Sequence, residues 1–367
     1  MKIKRFSAEN FRNISHCDIK FSDGINLLYG NNAQGKTNAV EGIYIFARGK
    51  SHRASEEREL IKFGEEGFRL YIEYEDKNGP STLEYSLFGK ERRRKKNGYK
   101  LEKIKEMIGN FKAVLFYPDD LGLVKDSPDE RRSFLNVAIS QCYDFYINYY
   151  ANYKKALENR NCLLKFASKG MYIDENELTA WSYYMAEYAS YIYLMRREYI
   201  EKLSVHSERI MNEISGEKEK LTLTYKSDIK EFSEDRKQIE NEYRKIFTAE
   251  TDREKMAGKT LFGVHRDDLI IDINGNPARL FASQGQQRSI VLSLKLAEGE
   301  VSREISGEYP VFLFDDVLSE LDEKRRKYVL EGIGEKQIII TSCEKDTDIR
   351  EEGKKIEVSS GIYEERE

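Results

Sequence analysis

Residues 30–37 read Gly30-Asn31-Asn32-Ala33-Gln34-Gly35-Lys36-Thr37 and match the pattern GxxxxGK[ST] in full. They follow the apolar run Ile25 to Tyr29 and precede a helical stretch that begins near Lys36. A strand, a glycine-rich turn and a helix in this order form a phosphate-binding loop. The sequence therefore predicts a P-loop nucleotide-binding fold.

The residue types of this loop suit nucleotide phosphates. Gly30 and Gly35 let the backbone curl so that successive N–H groups and the helix N-terminus face the phosphates. We expect Lys36 to reach the β- and γ-phosphates and the Thr37 hydroxyl to ligate magnesium. ATP and Mg2+ are therefore the predicted cofactors, held by residues 30–37 and by Asn38.

A second motif near the other end of the sequence supplies two carboxylates. The apolar run 310–314 is typical of a buried strand, and Asp315 and Asp316 follow it. Many strands end in polar turns, so this pattern is weak by itself. Together with the P-loop it indicates a Walker B strand, in which Asp315 holds the magnesium ion and Asp316 orients or deprotonates the attacking water. Lys36 and Asp316 are the predicted catalytic residues.

Two further segments bear on the class of P-loop protein. Ser283-Gln284-Gly285-Gln286 precedes a long helical stretch and resembles the signature motif of ABC ATPases, although Gln284 replaces the usual glycine. Ser319-Glu320-Leu321-Asp322 follows the Walker B strand as the D-loop of that family does. The resemblance implies that Ser283, Gly285, Gln286 and Asp322 meet the nucleotide of a second subunit. The alternative for the first segment is a simple helix N-cap with a polar first turn.

Composition gives no further guide to the partner. The net charge is -4 and 34% of residues are charged, so any DNA-binding surface must be a local basic patch. No stretch approaches the ~18 apolar residues of a membrane span, and the N-terminus lacks the features of a secretory signal. The four cysteines are scattered without a CxxC pair, which predicts neither a metal site nor a disulfide framework. We expect a cytoplasmic protein without a membrane partner.

The pattern of apolar and polar residues along the sequence predicts two domains. In the first 125 residues, around the P-loop, apolar and polar residues alternate as in strands, and strand-like segments return at 221–225, 269–273, 311–314 and 337–341. We assign residues 68–88 and 113–117 to an antiparallel layer beside the first strands. Between them, residues 126–254 show helical spacing with few glycines or prolines. The predicted fold is an α/β ATPase head of the ABC type, formed by residues 1–125 and 255–367, with a mixed sheet, helices and an antiparallel β layer, and an inserted, mainly helical arm at 126–254.

Several further motifs carry a resemblance to one known family. They are Ala8-Glu9-Asn10-Phe11-Arg12-Asn13, the P-loop with its following Asn38, Gly49-Lys50-Ser51-His52-Arg53, Ser127-Pro128 with Arg131-Arg132, residues 263–268 (GVHRDD), 283–288 (SQGQQR) and 314–322 (FDDVLSELD). On these motifs, and over essentially its whole length, the chain resembles the RecF family of the ABC ATPases. Ala33 and Val264 stand where RecF proteins commonly have glycine and proline, and neither departure touches a predicted reacting group.

The resemblance implies an ATP-gated DNA-binding protein of recombinational and replication-gap repair. Proteins of this family bind ATP, dimerise around it, bind gapped or junction DNA, hydrolyse ATP slowly and act with RecO and RecR to load RecA. Asp316 is one methylene shorter than the glutamate common in ABC proteins, which also favours slow turnover. The alternative is a structural ATPase head of the chromosome-condensation type, although the sequence lacks the length for long coiled coils. A transporter subunit is disfavoured because no histidine follows the strand 338–341.

Other candidates leave two interpretations open. Arg53 either contacts a phosphate of the nucleotide or DNA, or is an ordinary surface arginine. The run Arg92-Arg93-Arg94, continued by two lysines, is either a DNA-phosphate surface or a solvated loop face. Asp267 and Asp268 either belong to the nucleotide-proximal core or form a turn or cap.

Overall fold

Strands and helices alternate along the chain in the computed structural model, which describes residues 1–230, 232–332, 334–343 and 353–366. The strands are β1 (Lys2–Phe11), β2 (Ile14–Lys20), β3 (Ile25–Tyr29), β4 (Gly67–Asp76), β5 (Gly79–Phe88), β6 (Glu91–Lys96), β7 (Tyr99–Lys100), β8 (Ala113–Phe116), β9 (Leu221–Lys226), β10 (Asp268–Ile273), β11 (Asn276–Pro277), β12 (Val311–Phe314), β13 (Gln337–Ser342), β14 (Lys354–Ser359) and β15 (Ile362–Arg366). The α-helices are α1 (Lys36–Arg48), α2 (Gly122–Lys125), α3 (Pro128–Cys142), α4 (Tyr146–Ala167), α5 (Glu175–Ser215), α6 (Arg236–Ala249), α7 (Thr251–Ala257), α8 (Ala278–Phe281), α9 (Gln284–Ser306) and α10 (Glu323–Glu331).

Residues of the chain group into two compact units. Unit 1 comprises Met1–Val124, His206–Lys220 and Ala282–Glu367, and unit 2 comprises Lys125–Val205 and Leu221–Phe281. These limits differ from those predicted from the sequence. Residues 255–281, predicted for the head, belong to unit 2, and residues 206–220, predicted for the arm, belong to unit 1. Two long-range contacts explain the difference: β10 pairs with β9, and Met211 near the end of α5 lies 3.6 Å from the Ser293 hydroxyl of α9.

Unit 1 contains two sheets with helix α1 between them. One sheet is antiparallel in the order β2-β1-β4-β5-β6-β7, and the other has the order β15-β14-β3-β13-β12-β8, parallel except for β15. Helix α1 contacts β1 on one side and β13 on the other. It approaches β1 so closely that a Cβ on Gly42 would lie 2.7 Å from the Phe6 ring. The P-loop at the start of α1 is therefore anchored from both sheets.

The predicted fold class is confirmed, with one error in strand placement. The mixed sheet, the antiparallel layer and the strands predicted at 221–225, 269–273, 311–314 and 337–341 are all present. Residues 113–117, however, were wrongly assigned to the antiparallel layer, since β8 pairs in parallel with β12. The error arises because a four-residue apolar strand, buried throughout, carries no sign of its neighbours. The basic run at 91–96 is also a strand, β6, and not a loop.

Unit 2 packs its helices around buried polar side chains and a small antiparallel sheet, β11-β10-β9. Arg160 and Glu254, both fully buried, form an ion pair of 2.7 Å. Arg196 donates to the carbonyl oxygen of Val264 at 2.6 Å and lies 3.4 Å from Asp267. No helix in the described ranges combines the length and the apolar character needed to cross a membrane.

Candidate nucleotide-binding site

The P-loop backbone adopts conformations that its glycines permit. Gly30 has a φ of 151°, and a Cβ there would lie 2.2 Å from the Val358 carbonyl oxygen, so no larger residue fits. Gly35, the N-cap of α1, has a φ of 116°. Ala33 also lies in the left-handed region, with a φ of 63°, which costs about 1 kcal/mol relative to glycine. Alanine therefore occupies a backbone conformation that glycine would adopt at lower cost.

Lys36 is a buried cation suited to an anionic ligand. Its side chain is nearly inaccessible, and Nζ donates to the carbonyl oxygens of Gly30 (2.7 Å) and Asn31 (2.9 Å). In the described part of the chain no carboxylate forms an ion pair with it. Nζ also lies 4.0 Å from the Cys343 sulfur. A buried ammonium whose partners are neutral is stabilised when an anion approaches, so the loop fits the phosphates of a nucleotide.

Side chains from distant segments hold the loop in this shape. The Asn13 side-chain amide donates to the Ala33 carbonyl oxygen at 3.1 Å, and the Tyr363 hydroxyl donates to the Gly35 carbonyl oxygen at 2.8 Å. The backbone N–H of Gly361 donates to the Gln34 carbonyl oxygen at 2.9 Å. The turns after β1 and β14 and the strand β15 thereby fix carbonyl groups of the loop.

Thr37 and Asp315 bring the P-loop and the Walker B strand together. Thr37 Oγ1 donates to Asp315 Oδ1 at 2.8 Å. Burial raises the pKa of Asp315 above its ordinary value, although Thr37 and Thr341 donate hydrogen bonds to it. A hydroxyl and a buried carboxylate side by side are oxygen ligands of the kind Mg2+ prefers, and a divalent cation would favour the ionised carboxylate. These two side chains therefore fit the predicted magnesium ion.

Asp316, the next residue, has a backbone in the left-handed region. It has a φ of 55°, and its N–H donates to Thr341 Oγ1 at 2.8 Å. Its own Oδ1 lies 3.2 Å from the same hydroxyl. The two predicted Walker B carboxylates thus meet at one threonine of β13.

Glu41 organises a charged group beside the first turns of α1. It is fully buried and accepts a bidentate pair of hydrogen bonds from Arg12, at 2.7 and 3.0 Å, and a further one from Ser51. Arg53 Nη1 lies 3.4 Å from Glu41 and 3.1 Å from Asn38 Oδ1. Despite burial, these donors lower the pKa of Glu41. Arg53 is half exposed and is held next to the helix that carries the P-loop.

The signature and D-loop residues form a second group. Ser283 is the N-cap of α9: its Oγ accepts from the Gln286 N–H at 3.3 Å, and the Gln286 side chain accepts from the Ser283 N–H at 2.8 Å. Asp322 is the N-cap of α10 and accepts from the Arg325 N–H at 2.9 Å. Arg325 also donates to Gly285 O at 3.3 Å. Both the helix-cap interpretation and an exposed anion site fit this arrangement, since the Ser283 hydroxyl proton remains available to donate.

The structure does not join these two groups within one chain. Among the described residues, no hydrogen bond connects Ser283, Gly285, Gln286 or Asp322 to the P-loop or to the Walker B carboxylates. The residues brought together are those of the P-loop with Asp315 and, through Thr341, Asp316.

The basic side chains of strand β6 have partners within this chain. Arg92 bonds to Glu57, Arg93 to Glu91, Arg94 lies 5.2 Å from the centre of the Tyr85 ring, Lys95 lies 3.8 Å from Glu84, and Lys96 donates to Asn110. The Arg92 and Arg93 side chains are 49% and 65% exposed, and exposed pairs of this kind contribute at most about 1 kcal/mol. DNA phosphates would have to replace these partners.

Several residues of the site escaped the sequence analysis. Asn13 and Ser51 lay inside quoted motifs without an assigned role, Glu41 follows the P-loop outside the quoted motifs, and Tyr363 carried no signal at all. Thr341 was visible only as a polar residue at the end of an apolar strand. Asp267 and Asp268 were considered for the nucleotide-proximal core, but they lie in unit 2, where Asp267 accepts from Tyr225 and Asp268 from Arg131 at 2.8 Å.

Comparison with known proteins shows the family of the chain. The chain matches the model of the family described as RecF/RecN/SMC N terminal domain over residues 2–364. It is 39% identical over 348 residues to the DNA replication and repair protein RecF of Clostridioides difficile, covering 94% of this chain and 92% of that protein. It is 38% identical to the RecF protein of Clostridium novyi, covering 93% of this chain and 92% of that protein.

The chain also resembles solved structures in its fold. A structure of the recombination mediator protein RecF with ATP in the RecFOR pathway is 34% identical, covers 100% of this chain and 98% of that chain, and has a TM-score of 0.92. An Smc head bound to the C-winged helix domain of ScpA is 17% identical with a TM-score of 0.57, covering 100% of this chain and 98% of that chain, and shares the fold alone. By sequence and by structure, the chain belongs to the RecF family.

Proposed function

We propose that this protein is an ATP-dependent DNA-binding protein of replication-gap and recombinational repair, in which ATP closes a dimer and slow hydrolysis reopens it. The observation that carries the proposal is the 2.8 Å contact between Thr37 and Asp315, which assembles a P-loop and a Walker B carboxylate into one site. Related RecF structures described as complexes with ATP and ATPrS support nucleotide binding here.

In this proposal the loop N–H groups and Lys36 bind the phosphates, while Thr37 and Asp315 hold the magnesium ion, which would neutralise phosphate charge. Arg53 donates to Asn38, the residue after Thr37, and for this reason we assign it to a phosphate of the same nucleotide and not to DNA. Asp316 accepts the proton of the attacking water as the water oxygen bonds to the γ-phosphorus and the bond to ADP breaks.

The second half of the site comes from another copy of the chain. Ser283 at the N-terminus of the 23-residue helix α9 is exposed, and within the described ranges no hydrogen bond connects it to its own P-loop, as expected if it serves the nucleotide of a partner. Arg325 links the Gly285 carbonyl to Asp322, so that signature and D-loop would move as one surface. A symmetric dimer would then contain two identical composite sites.

Mixing two inactive variants tests the composite site. We expect Lys36→Met and Ser283→Arg each to abolish ATP-driven dimerisation and hydrolysis when alone. An equimolar mixture should recover about one quarter of the wild-type hydrolysis, because half of random dimers are mixed and each mixed dimer keeps one intact site. The measurement is steady-state ATP hydrolysis alongside sedimentation velocity with and without ATP.

The matched control is a mixture of Lys36→Met with Thr37→Val, which damages the same half of the site twice and should recover nothing. Normal dimerisation of Ser283→Arg alone would show that the signature segment is only a helix cap.

We further propose that the ATP-bound dimer binds gapped or junction DNA, that DNA stimulates its weak ATPase, and that it acts with RecO, RecR and RecA. Family membership and the RecFOR description of the related structure support this. Within the chain, Arg92, Arg93 and Arg94 on β6 are the candidate DNA contacts, because their surface partners can be displaced by phosphates.

Salt dependence tests the β6 surface. If Arg92 and Arg93 contact phosphates, the double change to alanine should reduce the slope of log Kobs against log salt by about 1.4 to 1.8. Fluorescence anisotropy of a labelled gapped duplex over a salt series gives the slope. Arg69→Ala on β4, which lies two strands from β6 in the same sheet, removes another exposed and ion-paired arginine and is the control. Equal slopes for the wild type and the double variant would place the DNA elsewhere.

A further inference from the structure

The end of β13 lies between the two halves of the catalytic machinery. β13 pairs with β3, which leads into the P-loop, and with β12, which ends in the Walker B carboxylates. The end of β13 reaches the P-loop: the Gly30 N–H donates to the Ser342 carbonyl oxygen at 3.3 Å, and Sγ of Cys343, the residue after the strand, lies 2.8 Å from Asn32 Oδ1. On the Walker B side, Thr341 contacts Asp315 and Asp316. Thr341 is thus at the centre of the site without belonging to either motif.

The Thr341 hydroxyl is shared among three polar atoms. It accepts from the Asp316 N–H at 2.8 Å, and it lies 2.9 Å from Asp315 Oδ1 and 3.2 Å from Asp316 Oδ1. With its single proton it can donate to one carboxylate at a time. Thr341 is 1% exposed, so the side chain cannot turn away to water.

Asp316 needs such support because its backbone is strained. A φ of 55° is unusual for a residue other than glycine and costs about 1 kcal/mol, although aspartate tolerates it better than most. Strain of this kind persists only where neighbouring groups determine the conformation. For Asp316 the hydrogen bonds to Thr341 are such a constraint on both its backbone and its carboxylate.

We propose that Thr341 is a positioning residue for hydrolysis: its hydroxyl holds Asp316 in the left-handed conformation in which the carboxylate meets the attacking water. The proposal rests on the proposed ATPase function and adds a residue to it. Thr37 still donates to Asp315 when Thr341 is changed, so the metal-binding half of the site keeps its own contact. Loss of the hydroxyl should therefore affect the chemical step more than nucleotide binding.

Three variants of threonine test this assignment. Thr341→Val keeps the shape and removes the hydroxyl, Thr341→Ser keeps the hydroxyl, and Thr224→Val makes the same change on an exposed position of β9 in unit 2. We expect Thr341→Val to hydrolyse ATP about tenfold to hundredfold more slowly at saturating ATP, because the Asp316 N–H loses its acceptor. Its ATP affinity should stay within about threefold of the wild type, and Thr341→Ser and Thr224→Val should behave like the wild type.

A second measurement does not depend on turnover. Hydrogen exchange followed by mass spectrometry should show faster exchange at the Asp316 amide in Thr341→Val, but not in Thr341→Ser. If Thr341→Val does not fold, Thr341→Ala removes the hydroxyl without placing an additional methyl group beside the carboxylates and takes its place.

Wild-type hydrolysis by a folded Thr341→Val, or equal slowing in Thr341→Ser, overturns the proposal while leaving the ATPase function standing. A wild-type chain that binds no ATP contradicts the ATPase function itself. Slow hydrolysis with retained ATP affinity and rescue by serine supports Thr341 as the positioning residue.

Discussion

Replacing Asp316 with asparagine should slow ATP hydrolysis by about 10² to 10⁴-fold while the ATP-bound dimer persists. Asparagine has nearly the same shape and retains the backbone N–H that donates to Thr341. Its amide cannot accept the proton of the attacking water. ATP would therefore still close the dimer, but the step that reopens it would be lost.

Single-turnover hydrolysis of radiolabelled ATP and the lifetime of the dimer on gapped DNA measure the two effects separately. Asp315→Asn is the matched control, because it changes the adjacent carboxylate that contacts Thr37. We expect that variant to weaken magnesium-dependent ATP binding and therefore to form little dimer. Rapid hydrolysis by Asp316→Asn would remove Asp316 as the proton acceptor.

Replacing Lys295 with methionine should destabilise unit 1 by roughly 3 to 5 kcal/mol, because it leaves buried carboxyl groups without their cation. Lys295 Nζ lies 3.2 Å from Asp120 and 3.9 Å from Glu298, and all three side chains are about 6% exposed. Lys295 and Glu298 belong to the signature helix α9, and Asp120 lies in the turn after β8. Urea unfolding followed by circular dichroism gives the change in the free energy of unfolding.

The loss of stability in Lys295→Met should be larger at higher pH. Burial raises the pKa of Asp120 to about 6 and that of Glu298 to about 7, from ordinary values of 3.8 and 4.5. The folded chain therefore holds more protons than the unfolded chain between about pH 4 and pH 7, and this contribution to stability disappears as the pH rises through that interval. Lys295 lowers both pKa values, so without it the deficit should be larger at about pH 8 than at about pH 5.5.

Two variants control this experiment. Lys327→Met removes the cation of an exposed i,i+4 pair on α10 and should change stability by no more than about 0.5 kcal/mol. Adding Glu298→Gln to Lys295→Met should restore part of the stability at high pH, because it removes one of the two buried carboxylates that have lost their cation. A Lys295→Met chain as stable as the wild type at both pH values would show that the three groups are not coupled.

The nucleotide-binding motifs could be identified from the sequence because each is local. In the P-loop, eight consecutive residues set the turn, the glycine positions and the side chains that follow, and the flanking strand and helix are visible in the same stretch. Asp315 and Asp316 were recognised in the same way, from the apolar strand that precedes them. Likewise, the basic run of β6 was visible as charge, although its partners were not.

Which strands lie side by side was decided only by the tertiary structure. The contact of Thr37 with Asp315 joins residues 278 positions apart, and Thr341 reaches Asp315 and Asp316 across 26 and 25 positions. Helix α1 has to be packed between two sheets before Glu41 can meet Arg12, and α9 has to lie against the turn after β8 before Lys295 can meet Asp120. A buried apolar strand such as β8 has the same pattern whichever sheet it joins, so its place depends on packing and long-range pairing, and with it the positions of the side chains that complete the site.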